Sequence, residues 1–399
     1  MDKSELIALR REFHQSPELG FAEERTKARI SEILERLGIE THIGAGVVGV
    51  LKRGSGNRAI ALRADMDALP ILETSTHNYV SQNDGVMHAC GHDGHMAMLL
   101  GAASVLAKDP HFDGSVIFIF QPNEEHGLGA QAMIAEGILE RFPVQEVYAI
   151  HNLPGAPLGQ VSTRPGQICS SESLFEIHVE GQGGHASMPQ VGRDAITIGA
   201  EIVQALQTIV SRKLAPGSGV VVSVTEFLTD GQRNVLPGVA TLKGDVRARI
   251  PADREEVARL MHLIAKGIGI AHGVKVSVKF NTEFIETINA PEPTRAVVET
   301  AHTLGLETNG NREPMSFSED FAHFCAAVPG CFLLLGNGTD GPCGQPLHSD
   351  DYDFNDDLLP IGTSFWSQLV RDRLPSSSGM KATSKPLHGS TGLPLGPMS

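Results

Sequence analysis

The strongest constraint on the fold comes from short apolar runs with almost no residue suited to face water. Residues 115–120 read Ser-Val-Ile-Phe-Ile-Phe and stop at Pro122, and residues 59–62 and 147–150 have similar length and character. Strands that are apolar throughout are typical of a sheet covered on both faces. We therefore predict an α/β layer with helices on both faces of a mainly parallel sheet.

Segments with a helical spacing of apolar residues surround these runs. A first helical block covers residues 4–37 and breaks near Pro17 and Gly20, and a strand is predicted at residues 47–51. Further elements of this layer are helices at residues 94–106, 129–136, 294–304 and 357–374 and a strand at residues 331–335.

The pattern changes between residues 169 and 280. Strands are predicted at residues 174–179, 219–227, 239–249 and 274–280, with helices at 195–209 and 254–268. This β-α-β-β-α-β order is that of the ferredoxin-like unit. We therefore predict one domain made of residues 1–168 and 281–375, interrupted by an α+β domain of residues 169–280. Residues 376–399 are rich in Ser, Gly and Pro, and we predict a disordered tail or a remnant of cloning there.

Bulk composition narrows the class of partner. The 399 residues are too many for one ordinary core, which agrees with two domains. The formal net charge is -15 without a run of Lys or Arg, so we expect neither a nucleic-acid nor a membrane partner. The charged amino end lacks an apolar signal core, and we expect a cytoplasmic protein. Five cysteines, an odd number in a large chain, do not indicate a disulfide framework.

The densest cluster of metal-binding residue types is His-Ala-Cys-Gly-His-Asp-Gly-His at residues 88–95. Cys90 and His92 stand one glycine apart, before a predicted helix. A thiolate and an imidazole so close together can share one metal or bridge two. An isolated pair of this kind is as often coincidental, but three His, one Cys and one Asp within eight residues predict a metal site.

A second signal is the pair Glu124 and Glu125, which follows the strand at 115–120 and Pro122. Ligands of open α/β sheets collect outside the carboxyl ends of the strands. Neighbouring carboxylates on a strand face opposite sides, but beyond the proline both can turn to one site. The pair then supplies one metal ligand and one free base. The less favoured alternative is two solvated glutamates at a helix start.

Two more histidines fall at suitable places. His151 follows the strand at 147–150, on the same sheet edge, and His348 lies in a polar loop before the last helix. Either alone is more often a structural residue. Together with Cys90, His92 and Glu125 they give five ligands, too many for one tetrahedral catalytic zinc but suited to two metals with water-filled positions.

With these residues, the chain resembles the dinuclear metallopeptidase family of hippurate hydrolases, aminoacylases, auxin–amino-acid conjugate hydrolases and N-acetyldiaminopimelate deacetylases. The resemblance extends from about residue 4 to about residue 374. It implies a zinc-peptidase-like catalytic domain with an inserted lid, the five ligands above, and a homodimer or dimer-based oligomer formed through the lid. Cys90 would stand near the position where other branches use a bridging carboxylate. The matching motifs are residues 63–70 (RADMDALP), 88–95, 121–125 (QPNEE), 181–186 (GQGGHA) and 347–349 (LHS).

Amide hydrolysis needs a nucleophilic water, stabilisation of the carbonyl oxygen and a proton for the leaving amine. Glu124, beside a ligand but not needed as one, is predicted to be the general base. The resemblance assigns His185 to oxyanion stabilisation from the lid, and Asn234 to substrate contact, sometimes across a dimer interface. Arg247, on a predicted lid strand, can hold a substrate carboxylate through a bidentate fork, although many strand arginines are only surface residues.

Two assignments stay open. Asp65 and Asp67 follow a strand, and one of them is predicted to orient a ligand histidine; Asp65 is preferred. Residues 318–321, Ser-Glu-Asp-Phe, either line the substrate pocket or cap a helix with acidic residues in its first turn.

These predictions converge on hydrolysis of the amide bond of N-acyl amino acids with two divalent ions per subunit, Zn²⁺ before Mn²⁺, Co²⁺ or Ni²⁺. The small-molecule substrate follows from the resemblance. A dipeptidase or carboxypeptidase on the same scaffold is the first alternative, because it would share every ligand; Cys90 resembles the N-acyl-amino-acid branch more closely. A metal-binding protein without turnover is the second alternative, and the spare carboxylate of Glu124 disfavours it.

Overall fold

The computed structural model of the protein describes residues 1–109 and 111–376. The predicted tail, residues 376–399, lies outside the described residues except for Ser376. An eight-stranded sheet and a four-stranded sheet organise the chain, with two short ribbons beside them. Within the described ranges, no helix is both long and apolar enough to cross a membrane.

The first part of the chain supplies five helices and most of the large sheet. Asp2 caps the first helix in a capping box with Glu5, and the predicted break near Pro17 and Gly20 separates the first two helices. The elements are α1 (Lys3–Gln15), α2 (Glu24–Arg36), β1 (Glu40–Ile43), β2 (Val47–Arg53), β3 (Ala59–Asp65), α3 (His92–Lys108), β4 (Gly114–Gln121), α4 (Gly129–Ala135), α5 (Ile138–Arg141), β5 (Glu146–Pro154), β6 (Val161–Ser162) and β7 (Gly166–Cys169).

The middle of the chain forms the four-stranded sheet and two helices. The elements are β8 (Ser171–Glu180), β9 (Gly184–His185), α6 (Ala195–Thr208), β10 (Val221–Thr229), β11 (Val235–Leu236), β12 (Val239–Ala248), α7 (Pro251–His272) and β13 (Lys275–Phe284). The four long strands pair antiparallel in the order β10-β12-β8-β13. Along β8 buried and more exposed residues alternate, because α6 and α7 cover one face only. The ferredoxin-like order is therefore present, whereas the exact domain boundaries stay a prediction.

After β13 the chain returns to the large sheet. Pro291 and Pro293 stand in the first turn of α8, where a missing backbone N–H costs little. The last elements are β14 (Thr287–Asn289), α8 (Pro291–Thr303), β15 (Thr308–Asn309), α9 (Ala322–Ala327), β16 (Gly330–Gly338) and α10 (Leu358–Arg373).

The large sheet is parallel in its centre and antiparallel toward its edges. Its order is β1-β2-β4-β3-β5-β16-β6-β15, and β4, β3, β5 and β16 run parallel, with Leu62 of β3 opposite Phe118 and Tyr148. β2 pairs antiparallel with β4, and β1 folds back on β2 as a hairpin. The α/β class is confirmed, with a more mixed sheet than predicted. β1 was not predicted because its sequence, Glu-Thr-His-Ile, has no apolar run.

Apolar side chains cover both faces of the large sheet. On one face α3 packs between α1 and α10, where Trp366 is buried. Nearly every residue of α3 is buried, from His92 at its start to Leu106. The helix is therefore held firmly by packing, and its amino end presents His92 at a fixed place over the sheet edge.

Candidate metal centre

The predicted ligands meet at the carboxyl ends of three neighbouring strands. Glu124 and Glu125 follow β4, Asp65 ends β3, and His151 lies inside β5, which continues past the predicted end of that strand. These strands are parallel, so their carboxyl ends share one edge of the sheet. This is the edge at which ligands of α/β sheets collect.

The loop before α3 turns Cys90 and His92 toward that edge. Gly91 between them has φ +89°, and a Cβ there would lie 2.4 Å from Asn152 Oδ1 and 2.7 Å from the Tyr352 hydroxyl. Only glycine adopts this backbone without strain and leaves room for those two groups. The residue between the two predicted ligands is therefore dictated by the turn.

The five predicted ligands form one continuous group of donor atoms. Donor atoms of Cys90, Glu125 and His348 lie within 4.8 Å of one another, and His348 Nε2 is 3.4 Å from Glu125 Oε2. Cys90 Sγ is 3.4 Å from His151 Nε2, and His92 Nε2 is 3.9 Å from Glu125 Oε1. The thiol and the Glu125 carboxylate thus connect the three imidazole rings.

His348 enters the group from a half-exposed loop near the carboxyl end of the chain. Its φ of +67° is in the left-handed region, which is uncommon for a residue with a side chain and is found at functional sites. Its backbone N–H donates to the carbonyl oxygen of Ala89 at 2.9 Å. The loop of His348 is therefore tied directly to the loop of Cys90.

Two of the donor atoms lack partners, as atoms that bind a cation would. His92 Nε2 and Glu125 Oε1 are buried and make no hydrogen bond with any described residue. Burial, together with the charges of Glu125 and Glu124, raises the pKa of the Cys90 thiol well above its ordinary value. A cation would offset the cost of the thiolate. Thiolate, imidazole and carboxylate donors fit divalent ions of the zinc type.

Asp67, rather than the preferred Asp65, faces the second ring nitrogen of His92. Asp67 Oδ1 is 3.3 Å from His92 Nδ1, and the Asp67 carbonyl oxygen is 2.8 Å from the same nitrogen. Asp67 Oδ2 accepts the backbone N–H of Glu125 at 3.0 Å. Asp65 Oδ1 contacts His95 Nδ1 at 2.7 Å, and Asp65 Oδ2 lies 3.7 Å from His92 Nε2. The geometry thus favours Asp67 as the residue that orients a predicted ligand.

Glu124 is buried next to Glu125 and lines the cavity above the donor atoms. A carboxylate oxygen of Glu124 lies within 4.8 Å of oxygens of Glu319 and Asp320. Burial, and the charges of Glu319 and Glu125, raise the pKa of Glu124 well above its ordinary value. A buried carboxyl group that readily holds a proton is suited to proton transfer.

The Ser-Glu-Asp-Phe segment contributes to the cavity. Ser318 and Glu319 line it, and the buried Arg63 guanidinium donates to Glu319 at 2.9 Å and to Asp320 at 3.1 Å. α9 begins only at Ala322, and no side chain caps it. Of the two alternatives left open for this segment, the geometry supports the pocket and not the helix cap.

The cavity has a volume of about 340 Å³ and reaches from the donor atoms to the ferredoxin-like part. That part contributes Glu172 and Arg247, so Arg247 faces the predicted substrate space. One guanidinium nitrogen of Arg247 donates to Glu172 at 2.6 Å, and Nε donates to Asp245 at 2.9 Å. Phe284 and Phe317 add aromatic surface to the wall.

His185 and Asn234 are not brought to this cavity. His185 lies in the short ribbon of β9 and β11, is exposed, and its Nδ1 is 2.8 Å from the Ser187 hydroxyl. Asn234 is also exposed, and its backbone carbonyl oxygen accepts a hydrogen bond from the backbone N–H of Ala186 at 3.1 Å. Neither residue is among those that line the cavity. Their predicted contacts with the substrate need a different lid position or a second subunit.

Three cavity residues were missed by the sequence reasoning. Glu172 stands near the start of β8, and a charged residue among serines was its only signal. Phe284 ends β13, and Phe317 directly precedes the Ser-Glu-Asp-Phe segment. Their place in the cavity depends on how the two sheets face each other, which local patterns do not reveal.

Comparisons with known proteins agree with this geometry. The model of peptidase family M20/M25/M40 matches residues 61–372. A hippurate hydrolase from Campylobacter jejuni is 37% identical over 373 residues, which are 92% of this chain and 96% of that protein. Thermostable carboxypeptidase 2 from Saccharolobus solfataricus is 36% identical, covering 90% of this chain and 92% of that protein. The crystal structure of a dinuclear metal-binding peptidase from Bacillus subtilis superposes with a TM-score of 0.82 at 30% identity, covering 92% of this chain and 97% of that one.

Proposed function

The chain belongs to peptidase family M20/M25/M40 and is a metal-dependent amidohydrolase, and we propose that it removes the acyl group from N-acyl amino acids. The observation that carries this proposal is the buried carboxylate of Glu124, which lines one cavity with four of the five predicted ligands, Cys90, Glu125, His151 and His348. A site that only bound metal would not need a further carboxylate beside its ligands. The similarity to a hippurate hydrolase supports the substrate class.

In this proposal Cys90, His92, Glu125, His151 and His348 hold two divalent ions, with Zn²⁺ first and Mn²⁺, Co²⁺ or Ni²⁺ as alternatives. Bound there, the ions supply Lewis-acid polarisation of the acyl carbonyl and lower the pKa of water at the site. Asp67 keeps His92 and Glu125 in position through the contacts described above.

Glu124 acts as the general base. One of its carboxylate oxygens takes the proton of the attacking water, and the same carboxyl group then gives it to the nitrogen of the leaving amino acid. Arg247 would bind a carboxylate of the substrate from the lid wall by exchanging its present bond to the Ser318 hydroxyl for it, while Glu172 and Asp245 keep their bonds to the guanidinium. His185 would stabilise the developing oxyanion and Asn234 would contact the substrate, both supplied by the exposed β9–β11 ribbon.

A homodimer formed through the lid is part of this proposal. β10 is an edge strand of the four-stranded sheet, and Val221, Phe227 and Leu228 on it are exposed. An edge strand with exposed apolar residues is suited to pair with a second copy of the chain. We also place the protein in the cytoplasm, which is supported by the free thiols of all five cysteines.

A carboxypeptidase is the second candidate, because one relative of similar identity has that name. Such an enzyme would use the same ligands and the same general base, so only the substrate distinguishes the two functions. A metal-binding protein without turnover is the remaining alternative.

The proposal is tested by removing metal with a chelator and then adding back each metal in turn. Turnover is measured with N-acetyl amino acids, N-benzoyl amino acids and dipeptides. We expect turnover of the N-acyl amino acids to be lost on chelation and restored by metal. Glu124→Gln should lower kcat by a factor of about 10³ at unchanged metal content, because it removes the base but no ligand. Glu140→Gln, an exposed glutamate on α5, is the matched control. Turnover of dipeptides alone would favour the carboxypeptidase, and no turnover with any metal would reject both enzymes.

A further inference from the structure

The part of the cavity wall that comes from the lid has one positive charge, that of Arg247, and this charge is already paired with carboxylates. Among the residues that line the cavity, all within the described ranges, Arg247 is the only Lys or Arg, against four glutamates. Glu124, Glu125 and Glu319 belong to the side of the metal donors. Glu172 stands apart from them on β8, directly opposite Arg247 in the register of β8 and β12.

The hydrogen bonds of Arg247 show that its charge is already shared. Nε donates to Asp245 at 2.9 Å, one terminal nitrogen donates to Glu172 at 2.6 Å, and the other donates to the Ser318 hydroxyl at 3.0 Å. All three nitrogens of the guanidinium therefore have an acceptor. Arg247 and its two carboxylate partners together have a net charge of one negative unit, although only Glu172 of the two carboxylates lines the cavity itself.

The two carboxylates are also poorly solvated. The side chains of Glu172 and Asp245 are only 24% and 27% exposed, and Asp245 Oδ1 is buried without a hydrogen-bond partner in the described chain. Burial and the charges of Asp245 and Glu283, which outweigh the opposite effect of Arg247, raise the pKa of Glu172. Buried negative charge without a full counter-charge is costly, and a cation supplied by a ligand would relieve it.

The remaining wall suits the stem of a long side chain. Phe284, Phe317 and Leu347 line the same cavity, and Phe284 is almost fully buried. Methylene groups pack well against such surfaces while a terminal ammonium or guanidinium group reaches a carboxylate. Aromatic faces also attract a cation that passes over them.

We infer that the substrate carries a positively charged group at the end of an apolar stem and that Glu172 selects for this charge. The inference rests on the proposed amide hydrolysis and specifies its substrate class. The cation can belong to the amino-acid part, as in an N-acyl-lysine. It can also belong to the acyl part, as in an amino acid acylated with a chain that ends in an ammonium group. Asp245 holds the Arg247 guanidinium, and Glu172 offers its carboxylate to the ligand.

Two matched substrate pairs test the inference on the metal-loaded enzyme. Nα-acetyl-lysine and Nα-acetyl-norleucine differ by the terminal ammonium group, and 6-aminohexanoyl-alanine and hexanoyl-alanine differ in the same way on the acyl side. We expect kcat/KM to be about tenfold higher for the charged member of one pair, which also identifies the part that carries the cation. Glu172→Gln should remove this preference by slowing the charged substrate. Glu172→Ser, with a smaller polar side chain, should do the same.

Glu176→Gln on the same strand is the matched control, since Glu176 lies outside the cavity and pairs with Lys279. It should keep the preference. Equal kcat/KM for the members of both pairs, or a preference that both Glu172 variants retain, would overturn the inference. Calorimetric binding of lysine against norleucine, and of 6-aminohexanoate against hexanoate, separates the two proposals if no substrate is turned over. Tighter binding of the charged member of either pair that requires Glu172 would then reject only the proposed function, and equal binding within both pairs would reject the inference as well.

Discussion

Replacement of Asp67 by asparagine should weaken metal binding without unfolding the protein. The Asp67 carboxylate serves two predicted ligands, with Oδ1 at 3.3 Å from His92 Nδ1 and Oδ2 at 3.0 Å from the Glu125 N–H. Asparagine has the same shape but only one acceptor oxygen, so its amide group would face one of the two N–H donors. His92 Nδ1 is bonded to the Asp67 carbonyl oxygen, and Asp67 Oδ1 itself makes no hydrogen bond with a described residue. The variant can keep the bond to Glu125 only with a neutral acceptor, and it then loses the carboxylate charge 3.3 Å from the ring and faces Nδ1 with an amide N–H.

The size of the effect follows from the charge as well as from the hydrogen bond. Burial lowers the pKa of His92, but Asp65 and Asp67 raise it to about 10, which shows that these carboxylates favour positive charge at this ring. A hydrogen bond to a charged group contributes about 1.5–3 kcal/mol. We therefore expect Asp67→Asn to weaken metal binding about 10- to 100-fold, as the loss of such orienting residues does in other metal sites.

Competition with a fluorescent chelator measures this change directly. The Kd for zinc should rise in Asp67→Asn, while excess metal restores part of the turnover because the ligands themselves are intact. Asp84→Asn, an exposed aspartate shortly before the Cys90 loop, should have the wild-type Kd. An Asp67→Asn Kd within twofold of wild type would refute the reasoning. A larger effect of Asp65→Asn would return the orienting role to Asp65.

Three further predictions address the packing, the pH dependence and the assembly. Gly94→Ala should lower the stability by about 1–3 kcal/mol despite the better helix propensity of alanine, because the new Cβ would lie 2.3 Å from the buried Phe354 ring; a variant with an unchanged Tm would contradict this. Burial raises the pKa of Glu23 from 4.5 to about 7, so the folded state holds a proton between these values that the unfolded state has lost, and the free energy of unfolding falls as the pH rises through this window. In urea titrations, the free energy of unfolding should fall between pH 5 and pH 8 by about 2 kcal/mol less in Glu23→Gln than in the wild type. An equal fall in both proteins would show that Glu23 is not responsible. Leu228→Lys, at an exposed position of the β10 edge, should convert a lid-paired dimer to monomers in analytical ultracentrifugation, and a monomeric wild type would reject the proposed dimer.

The fold class and the grouping of the five predicted ligands could be anticipated because both depend on short-range patterns. Apolar runs such as residues 115–120 indicate buried strands, and the carboxyl-edge rule then brings Glu125 and His151 to one side of the sheet. The choice between Asp65 and Asp67 was beyond this reasoning, since a two-residue period puts both on one face as long as the strand continues. β3 ends at Asp65, and the turn beyond it decides which carboxylate reaches His92.

Long-range pairing limited the rest of the prediction. Glu172 and Arg247 meet through the register of β8 and β12, which join segments 75 residues apart, and no local pattern sets that register. The position of His185 depends in the same way on the lid as a whole. Two-residue strands such as β6 and β15 are too short to have a sequence signal, and they owe their pairing to the neighbouring β16 and to each other.

The hydrogen bond between the loops of His348 and Ala89 has a consequence for the synthesis of the protein. Cys90 leaves the ribosome some 250 residues before His348, so a growing chain presents thiol and imidazole groups long before their last companion exists. If the predicted ligands bind metal, an ion captured early would be held by an incomplete set of donors and could still exchange. The arrival of His348 would complete that set, and its backbone N–H binds the carbonyl oxygen of Ala89 in the Cys90 loop. Tight retention of metal would thus distinguish chains that have folded to their carboxyl end from those that have stalled or been cut before it.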